Sequence, residues 1–141
     1  MDQSLVEKAS EIVSKEHMDC ILALIDLDGY PTASTITVSK ANGINWITFV
    51  INSNCNKAIR LKNNNRASVC FASLGNIEPL YNITLVGKIE IINDQKTRNE
   101  MWWDDCKNHF SGPDDPNYSV IKFITERYNL FVEWHNISGT I

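Results

Sequence analysis

The chain has 141 residues, of which 43% are hydrophobic and 21% charged, a composition typical of one globular domain over residues 1–141. Its net charge of −4 argues against a nucleic-acid-binding protein, because no excess of basic side chains is available to neutralise phosphates. The sequence contains no apolar run long enough to span a membrane, and its acidic, amphipathic start differs from a signal peptide.

Turn residues divide the first third of the chain into a helix and three strands. Ser4 and Glu7 have the spacing of a capping box, which predicts a helix that begins there and runs to about residue 16. Asp28 and Gly29 form a strong hairpin signal, and a second turn ends at Gly43. The strands that these turns separate are predicted over residues 20–27, 31–39 and 45–51.

A polar corner follows the third strand and opens a short helix. Residues 52–56 read NSNCN, and Lys57 lies in the first turn of the predicted helix. The start of a helix offers free backbone N–H groups and the positive end of the helix dipole, to which Lys57 adds a formal charge. This combination suits a phosphate group. The alternative is that the corner binds nothing, because Asn and Ser are ordinary turn formers and no glycine-rich phosphate-binding motif is present.

After the short helix, a strand is predicted over residues 67–74, followed by a loop that opens at Gly75 and Asn76. The longest predicted strand comes next and covers residues 81–92. Its odd positions are almost wholly apolar and its even positions mostly polar, which predicts one buried face. Gly87 inside this strand predicts a bend in a coiled sheet or barrel. The predicted core contains Phe49, Val69, Phe71, Ile83, Leu85, Ile89 and Ile91.

The last third of the chain begins with a helix predicted from Asp94 to about residue 108. Trp102 and Trp103 are adjacent on this helix, so only one of them can face the core. The other could cover a ligand or a subunit interface, or be a partly exposed core residue. Asp114 and Asp115 could form a catalytic pair, but the prolines beside them favour a structural turn.

Two further strands, over 120–125 and 128–134 with a turn at 126–127, complete about seven strands and two longer helices. Most strands are joined by hairpins, which predicts a mainly β fold, an antiparallel barrel with flanking helices. The four cysteines form no C-x-x-C motif, which indicates a reducing, cytoplasmic setting with Cys20 and Cys70 buried. The three histidines are far apart in the sequence, so no metal site is predicted.

Five groups of residues, in this order, resemble the pyridoxamine 5′-phosphate oxidase-like split-barrel flavoproteins, especially their general-stress-protein subgroup. These motifs are GYP at 29–31, F-x7-K at 49–57, NRASV at 65–69, VGKIE at 86–90, and GPDDPNY at 112–118 followed by VIKF at 120–123. The resemblance implies an FMN-binding split barrel that is a homodimer, with the FMN in a cleft at the dimer interface.

The resemblance also implies which residues would contact FMN. Lys57 matches the phosphate-binding Lys, and Asn82 stands where a flavin-contacting Gln occurs. The flavin ring would run along the second strand toward Asn82. The implied cofactor-binding residues are Ser34, Thr35, Ile36, Thr37, Ile51, Asn52, Cys55, Asn56, Lys57 and Asn82.

The chain departs from the family pattern at several of these positions. Ser34 and Asn56 replace Arg, and Ile51 replaces a frequent Thr, so contacts typically worth about 1.5–3 kcal/mol each are absent and FMN is expected to bind weakly or not at all. An Arg-bearing C-terminal segment is not recognisable either, so pyridoxamine phosphate oxidation is not expected.

The sequence is compatible with two functions. The first is an FMN-dependent oxidoreductase of unknown substrate, in which the flavin carries the hydride and no catalytic side chain is needed. The second is a non-catalytic module that binds a flavin, a deazaflavin, haem or another ligand. A minor hypothesis is that Cys55 is a reactive thiol, because a helix N-terminus lowers the pKa of a thiol.

Overall fold

The computed structural model describes residues 4–73 and 78–141, so the predicted loop opening at Gly75 and Asn76 lies outside the described residues. No helix in these two ranges is long and apolar enough to cross a membrane. The elements are α1 (Leu5–Val13), β1 (Asp19–Ile25), β2 (Pro31–Asn42), β3 (Trp46–Asn52), α2 (Asn56–Asn63), β4 (Arg66–Ala72), β5 (Tyr81–Ile92), α3 (Gln95–Met101), a 3₁₀ helix (Asp104–Asn108), β6 (Tyr118–Val132) and β7 (His135–Thr140).

The seven strands of the described chain form one antiparallel sheet that closes on itself. Their order is β3-β2-β1-β4-β5-β6-β7. An additional pairing of β3 with β6 closes six strands into a barrel and leaves β7 outside it. The prediction of an antiparallel barrel with flanking helices is confirmed.

Local capping and turn signals determine where α1 and the first hairpin begin. The Ser4 hydroxyl accepts a hydrogen bond from the Glu7 N–H at 3.1 Å, as the capping box predicts. At the hairpin, Gly29 has φ of +87°, and the Asp26 carboxylate accepts a hydrogen bond from the Asp28 N–H. Both signals therefore act through backbone groups that would otherwise lack partners.

The barrel interior contains six of the seven predicted core residues. Ile91 is the exception, because its side chain is 40% exposed. Pairing between β4 and β5 ends at Arg66 and Lys88, so the last residues of β5 extend beyond β4 and lose the neighbour that would cover them. The six core residues that are less than 4% exposed are Phe49, Val69, Phe71, Ile83, Leu85 and Ile89.

A β-bulge replaces the turn predicted at residues 126–127, so β6 is one continuous strand rather than two. Val86 pairs with Arg127 and Gly87 pairs with Thr125, which leaves Glu126 as the extra residue of β6. The chain therefore bends at this point without reversing its direction.

Gly87 is the residue that permits this bulge. A Cβ atom at Gly87 would lie only 2.0 Å from the backbone oxygen of Ile124, a distance that no side chain can accept. The glycine within the strand thus marks a close approach of the β6 backbone, and the bend expected in β5 itself stays a prediction.

β7 was not predicted as a strand, because its turn lacks the usual sequence signal. The reversal is made by Glu133 and Trp134, which have φ of +49° and +70°. Asn or Gly is the usual residue where φ is positive in a two-residue hairpin turn, and neither is present here. This hairpin is therefore stabilised by the pairing of β6 with β7 and not by its turn residues.

We expect Gly87→Ala to destabilise the protein by about 3 kcal/mol, because the new methyl group collides with backbone atoms that cannot move without breaking the bulge. Gly112→Ala is the matched control, since a Cβ there would meet the tip of the Asp114 side chain at 3.1 Å. Urea denaturation of the two variants and the wild type measures the difference. Equal free energies of unfolding would contradict this explanation of the bulge.

Candidate functional site

The corner between β3 and α2 is a rigid turn. The Asn52 side-chain oxygen accepts a hydrogen bond from the Asn54 N–H at 2.8 Å, and the Asn52 carbonyl accepts one from the Cys55 N–H at 3.1 Å. Ser53 connects the turn to the loop before β6, because its N–H donates to the Asn117 carbonyl at 2.8 Å and its hydroxyl to the Pro116 carbonyl at 3.0 Å. The start of α2 is therefore held from two sides.

The N-terminus of α2 is chemically suited to an anion. Its capping residue, Cys55, makes no side-chain cap hydrogen bond, and the first turn contains no acidic residue. The first N–H groups of a helix have no partners within the helix, and they carry the positive end of its dipole. Lys57 is half-buried in this turn, and none of the ion pairs in the described chain includes it.

A cleft of about 380 Å³ opens beside this corner. Asn52 belongs to both, since it lines the cleft and begins the turn. One side of the cleft is formed by β2 and β3, and the other by the segment around the 3₁₀ helix. The residues that line it are Ile36, Thr37, Val50, Ile51, Asn52, Trp103, Asp105, Cys106, His109 and Phe110.

The structure brings together most of the cofactor-binding residues that the sequence predicts. Four of them line the cleft, namely Ile36, Thr37, Ile51 and Asn52. Three others form the adjacent corner, namely Cys55, Asn56 and Lys57.

Three predicted residues lie elsewhere in the single protomer. Ser34 pairs with Leu22 and Thr35 with Ile21, on the part of β2 beyond the cleft. Asn82 borders a separate cleft, of about 550 Å³, between β4, β5 and the last two strands. Within one protomer, Asn82 therefore does not share the cleft with Ile36 and Ile51.

The sequence interpretation missed the wall of the cleft that follows α3. It predicted one helix to about residue 108, but α3 ends at Met101, and Trp102 and Trp103 lie in extended backbone before the 3₁₀ helix. The prediction that Trp102 and Trp103 lie on one helix is therefore wrong. Asp104 and Asp105 occupy the first turn of the 3₁₀ helix, and this acidic pair could have indicated a new helix start.

The two tryptophans have different neighbours. Trp102 contacts the buried Tyr118 edge-on, with ring centroids 5.3 Å apart, and burial raises the pKa of Tyr118 to about 12. Trp103 instead lies flat on the imidazole of His17, with centroids 3.6 Å apart and an angle of 12° between the rings. Both tryptophans pack against the buried cluster that contains Met101, Cys106 and Tyr118, but only Trp103 also lines the cleft.

The loop before β6 is organised around Asp115. Hydrogen bonds from the Ser111 and Asn117 N–H groups hold the pKa of Asp115 below its ordinary value. Arg98 donates from Nε to the Pro113 carbonyl at 2.9 Å and from its terminal nitrogen to the Asp115 carbonyl. These contacts support the expectation that Asp115 structures a turn.

The cysteines of the described chain are free thiols in different environments. Burial raises the pKa of the Cys20 thiol to about 12. Burial also raises the pKa of the Cys106 thiol, and Cys106 lines the cleft. Cys70 was predicted to be buried, but it is half-exposed, because it pairs with the outward-facing Ile21. No group of three or more His, Cys, Asp or Glu residues in the described chain could hold a metal ion.

Comparison with known proteins gives one family and a consistent set of structures. The family model for pyridoxamine 5′-phosphate oxidase matches residues 5–131. No curated protein is significantly similar to the chain.

Three solved structures illustrate the likeness. A Clostridium acetobutylicum protein related to general stress protein 26, of the pyridoxinephosphate oxidase family, has 26% identity and a TM-score of 0.78, with 97% of this chain and 94% of that chain covered. General stress protein 26 from Bacillus anthracis has 17% identity and a TM-score of 0.72, with coverages of 94% and 95%. A haem-binding protein from Mycobacterium smegmatis has 18% identity and a TM-score of 0.81, with coverages of 99% and 59%.

We expect acid to weaken the loop before β6 through Asp115. A carboxyl group with a lowered pKa in the folded protein stabilises the fold above its unfolded pKa of 3.8, and this contribution is lost as the pH falls through the lower folded value. The melting temperature of Asp115→Asn should therefore fall less than that of the wild type between about pH 6 and pH 2. Asp114→Asn, the neighbouring control, should follow the wild type, and identical slopes for all three proteins would refute the role given to Asp115.

Proposed function

The chain belongs to the pyridoxamine 5′-phosphate oxidase family, and from this membership and the site's geometry we propose that it binds FMN and acts in two-electron redox chemistry. The observation that carries the proposal is the uncapped, acid-free N-terminus of α2, with Lys57 in its first turn and a cleft directly beside it. A phosphate at this corner would accept hydrogen bonds from the N–H groups of residues 56–58 and would pair with the Lys57 ammonium.

The residues of the cleft fit the remainder of the cofactor. Its walls carry apolar side chains that suit a planar ring, among them Ile36, Ile51 and Phe110, while Asn52 and Thr37 add polar side chains to the lining. Bound FMN would supply hydride transfer, and the protein would supply orientation and exclusion of water.

The second candidate function is a ligand carrier of the same fold that does not turn over its ligand. The similarity of the fold to a haem-binding protein favours this alternative, although that protein is longer and this chain covers 59% of it. Reduction of the bound flavin by NAD(P)H, followed by reoxidation in air, would support the oxidoreductase. A bound chromophore that no donor reduces would support the carrier.

A homodimer is the second part of the proposal, and an uncharged patch on the outer face of the barrel supports it. The patch is a grid of two rows across β2, β1, β4 and β5, in which each residue pairs with the next. Its eight residues are Thr35, Ile21, Cys70 and Thr84 in one row, and Ala33, Ala23, Ser68 and Val86 in the other.

Two-fold pairing of such a patch would bury it against the same patch of a second copy. Asn82 lies on the same face as this patch, one step along β5 from Thr84. We therefore propose that Asn82 takes part in cofactor binding only in the dimer.

The four free thiols fit a reducing, cytoplasmic compartment.

Lys57→Ala should weaken FMN binding about tenfold or more, because one charged hydrogen bond contributes ~1.5–3 kcal/mol. Lys62→Ala is the matched control, since Lys62 is an exposed residue in the last turn of the same helix. The measurement is a fluorescence titration of FMN with each protein at fixed salt. Equal affinities of the two variants would place the cofactor elsewhere, and an absence of saturable binding by the wild type would rule out the flavin proposal.

Ile21→Arg should convert the dimer to a monomer, because it places a charge at the centre of the uncharged patch, where a like charge from the second copy would face it. Ile59→Arg is the control, because Ile59 is 47% exposed, close to the 38% of Ile21, but lies on α2 outside the patch. Light scattering at micromolar concentration gives the mass of each protein. A monomeric wild type, or a dimeric Ile21→Arg variant, would argue against this interface.

A further inference from the structure

We infer that Trp103, braced from behind by His17, is the wall of the cleft that recognises the planar ring of the ligand, whereas the corner at α2 recognises the phosphate. This inference rests on the proposed function, because it assigns a residue to the ring-binding half of the same site. Trp103 lies on the segment after α3, which forms the wall of the cleft opposite β2 and β3.

The first observation is the close, nearly parallel stack of the two rings. The Trp103 and His17 centroids are 3.6 Å apart and the planes differ by 12°, so the imidazole stacks on one face of the indole. The same indole borders the cleft. Trp103 also packs against a buried cluster that contains Met101 and Cys106, so a residue at the cleft is oriented by these contacts before any ligand arrives.

The second observation is that His17 is itself fixed. Its Nδ1 lies 3.1 Å from the carbonyl oxygen of Val38, and because a carbonyl only accepts, Nδ1 carries the proton and donates. Val38 is a buried residue of β2, and its own N–H donates to the Met18 carbonyl. His17 also has φ of +50°, a conformation that ordinary residues adopt rarely. The imidazole is therefore positioned by the barrel itself.

The third observation is the contrast with Trp102. That residue packs against Tyr118 and does not line the cleft. Both residues pack against the same buried cluster, and what distinguishes Trp103 is its additional position at the cleft. Pre-organisation of this kind lowers the entropy lost when a ring binds.

The test separates the ring from the phosphate by comparing riboflavin with FMN. Trp103→Leu should weaken binding of both ligands by the same factor, about tenfold, which is typical of one lost stacking contact. Lys57→Ala should weaken FMN alone and leave riboflavin unchanged. Trp102→Leu, the matched control, should leave both affinities near the wild-type values.

The fluorescence of the bound flavin gives a second readout. An indole in contact with a flavin quenches its emission, so riboflavin bound to Trp103→Leu should be brighter than riboflavin bound to the wild type or to Trp102→Leu. His17→Asn keeps a residue that tolerates positive φ but removes the brace, and it should weaken both ligands less than Trp103→Leu does. If Trp103→Leu does not fold, Trp103→Phe should fold and retain most of the ring affinity with reduced quenching.

The outcomes distinguish the two proposals. If the wild type binds FMN and Lys57→Ala weakens it, but Trp103→Leu binds riboflavin with unchanged affinity and brightness, the assignment of Trp103 is wrong and the flavin site stands. If Trp103→Leu and Trp102→Leu weaken binding equally, the effect is structural and the assignment is again wrong. If the wild type binds neither flavin, the proposed function fails and this inference fails with it.

Discussion

The structure depends on one close backbone contact, between Gly87 of β5 and the Ile124 carbonyl of β6. β6 pairs with β5 along its length, but the strand on its other edge changes at this point. Before the bulge, residues from Tyr118 to Ile124 pair with β3, and after it, residues from Arg127 to Val132 pair with β7. The bulge thus lies where β6 parts from β3 and begins to pair with β7 while it continues beside β5. A residue without a side chain therefore makes possible both the closure by β3 and the extension by β7.

Closure of the barrel also determines where the candidate site forms. The last register pair of β3 and β6 joins Asn52 to Tyr118, so the start of the polar corner lies next to the start of β6. The loop before β6 then reaches the corner through Ser53 and the cleft through Phe110. Asp115, within this loop, and Arg98, on α3, hold the loop by hydrogen bonds. The site is therefore assembled from segments far apart in sequence that the strand pairing brings to one end of the barrel.

The sequence predicted those features that depend on local chemistry. The Ser4 cap, the Asp28–Gly29 turn, the alternation in β5 and the cap of α3 by Asp94 each involve residues within a few positions, and each is found in the structure. The predicted corner and four cleft residues followed from such local patterns together with the family resemblance.

The errors arose where a distant neighbour decides the outcome. Ile91 has the correct alternation and pairs with β6, but β4 does not extend beside it, so its side chain is exposed. Glu126 resembles a turn residue although pairing with β5 makes it a bulge. Trp103 could not be assigned because its partner, His17, is a residue of the α1–β1 connection whose conformation has no sequence signal. The role expected for Asn82 stays a prediction, because Asn82 borders a separate cleft within one protomer.

The hydrogen bonds between the corner and the loop before β6 have a thermodynamic consequence. Ser53 and Asn54 hold Pro116 and Asn117 directly, while the same loop supplies Phe110 to the cleft wall. An anion that tightens the corner would therefore bias the conformation of the wall, and a ring that orders the wall would bias the corner. Linkage requires this coupling to be reciprocal, so each half of a ligand would raise the affinity for the other by the same factor. A molecule that spans both would gain a cooperative free energy that neither fragment obtains alone.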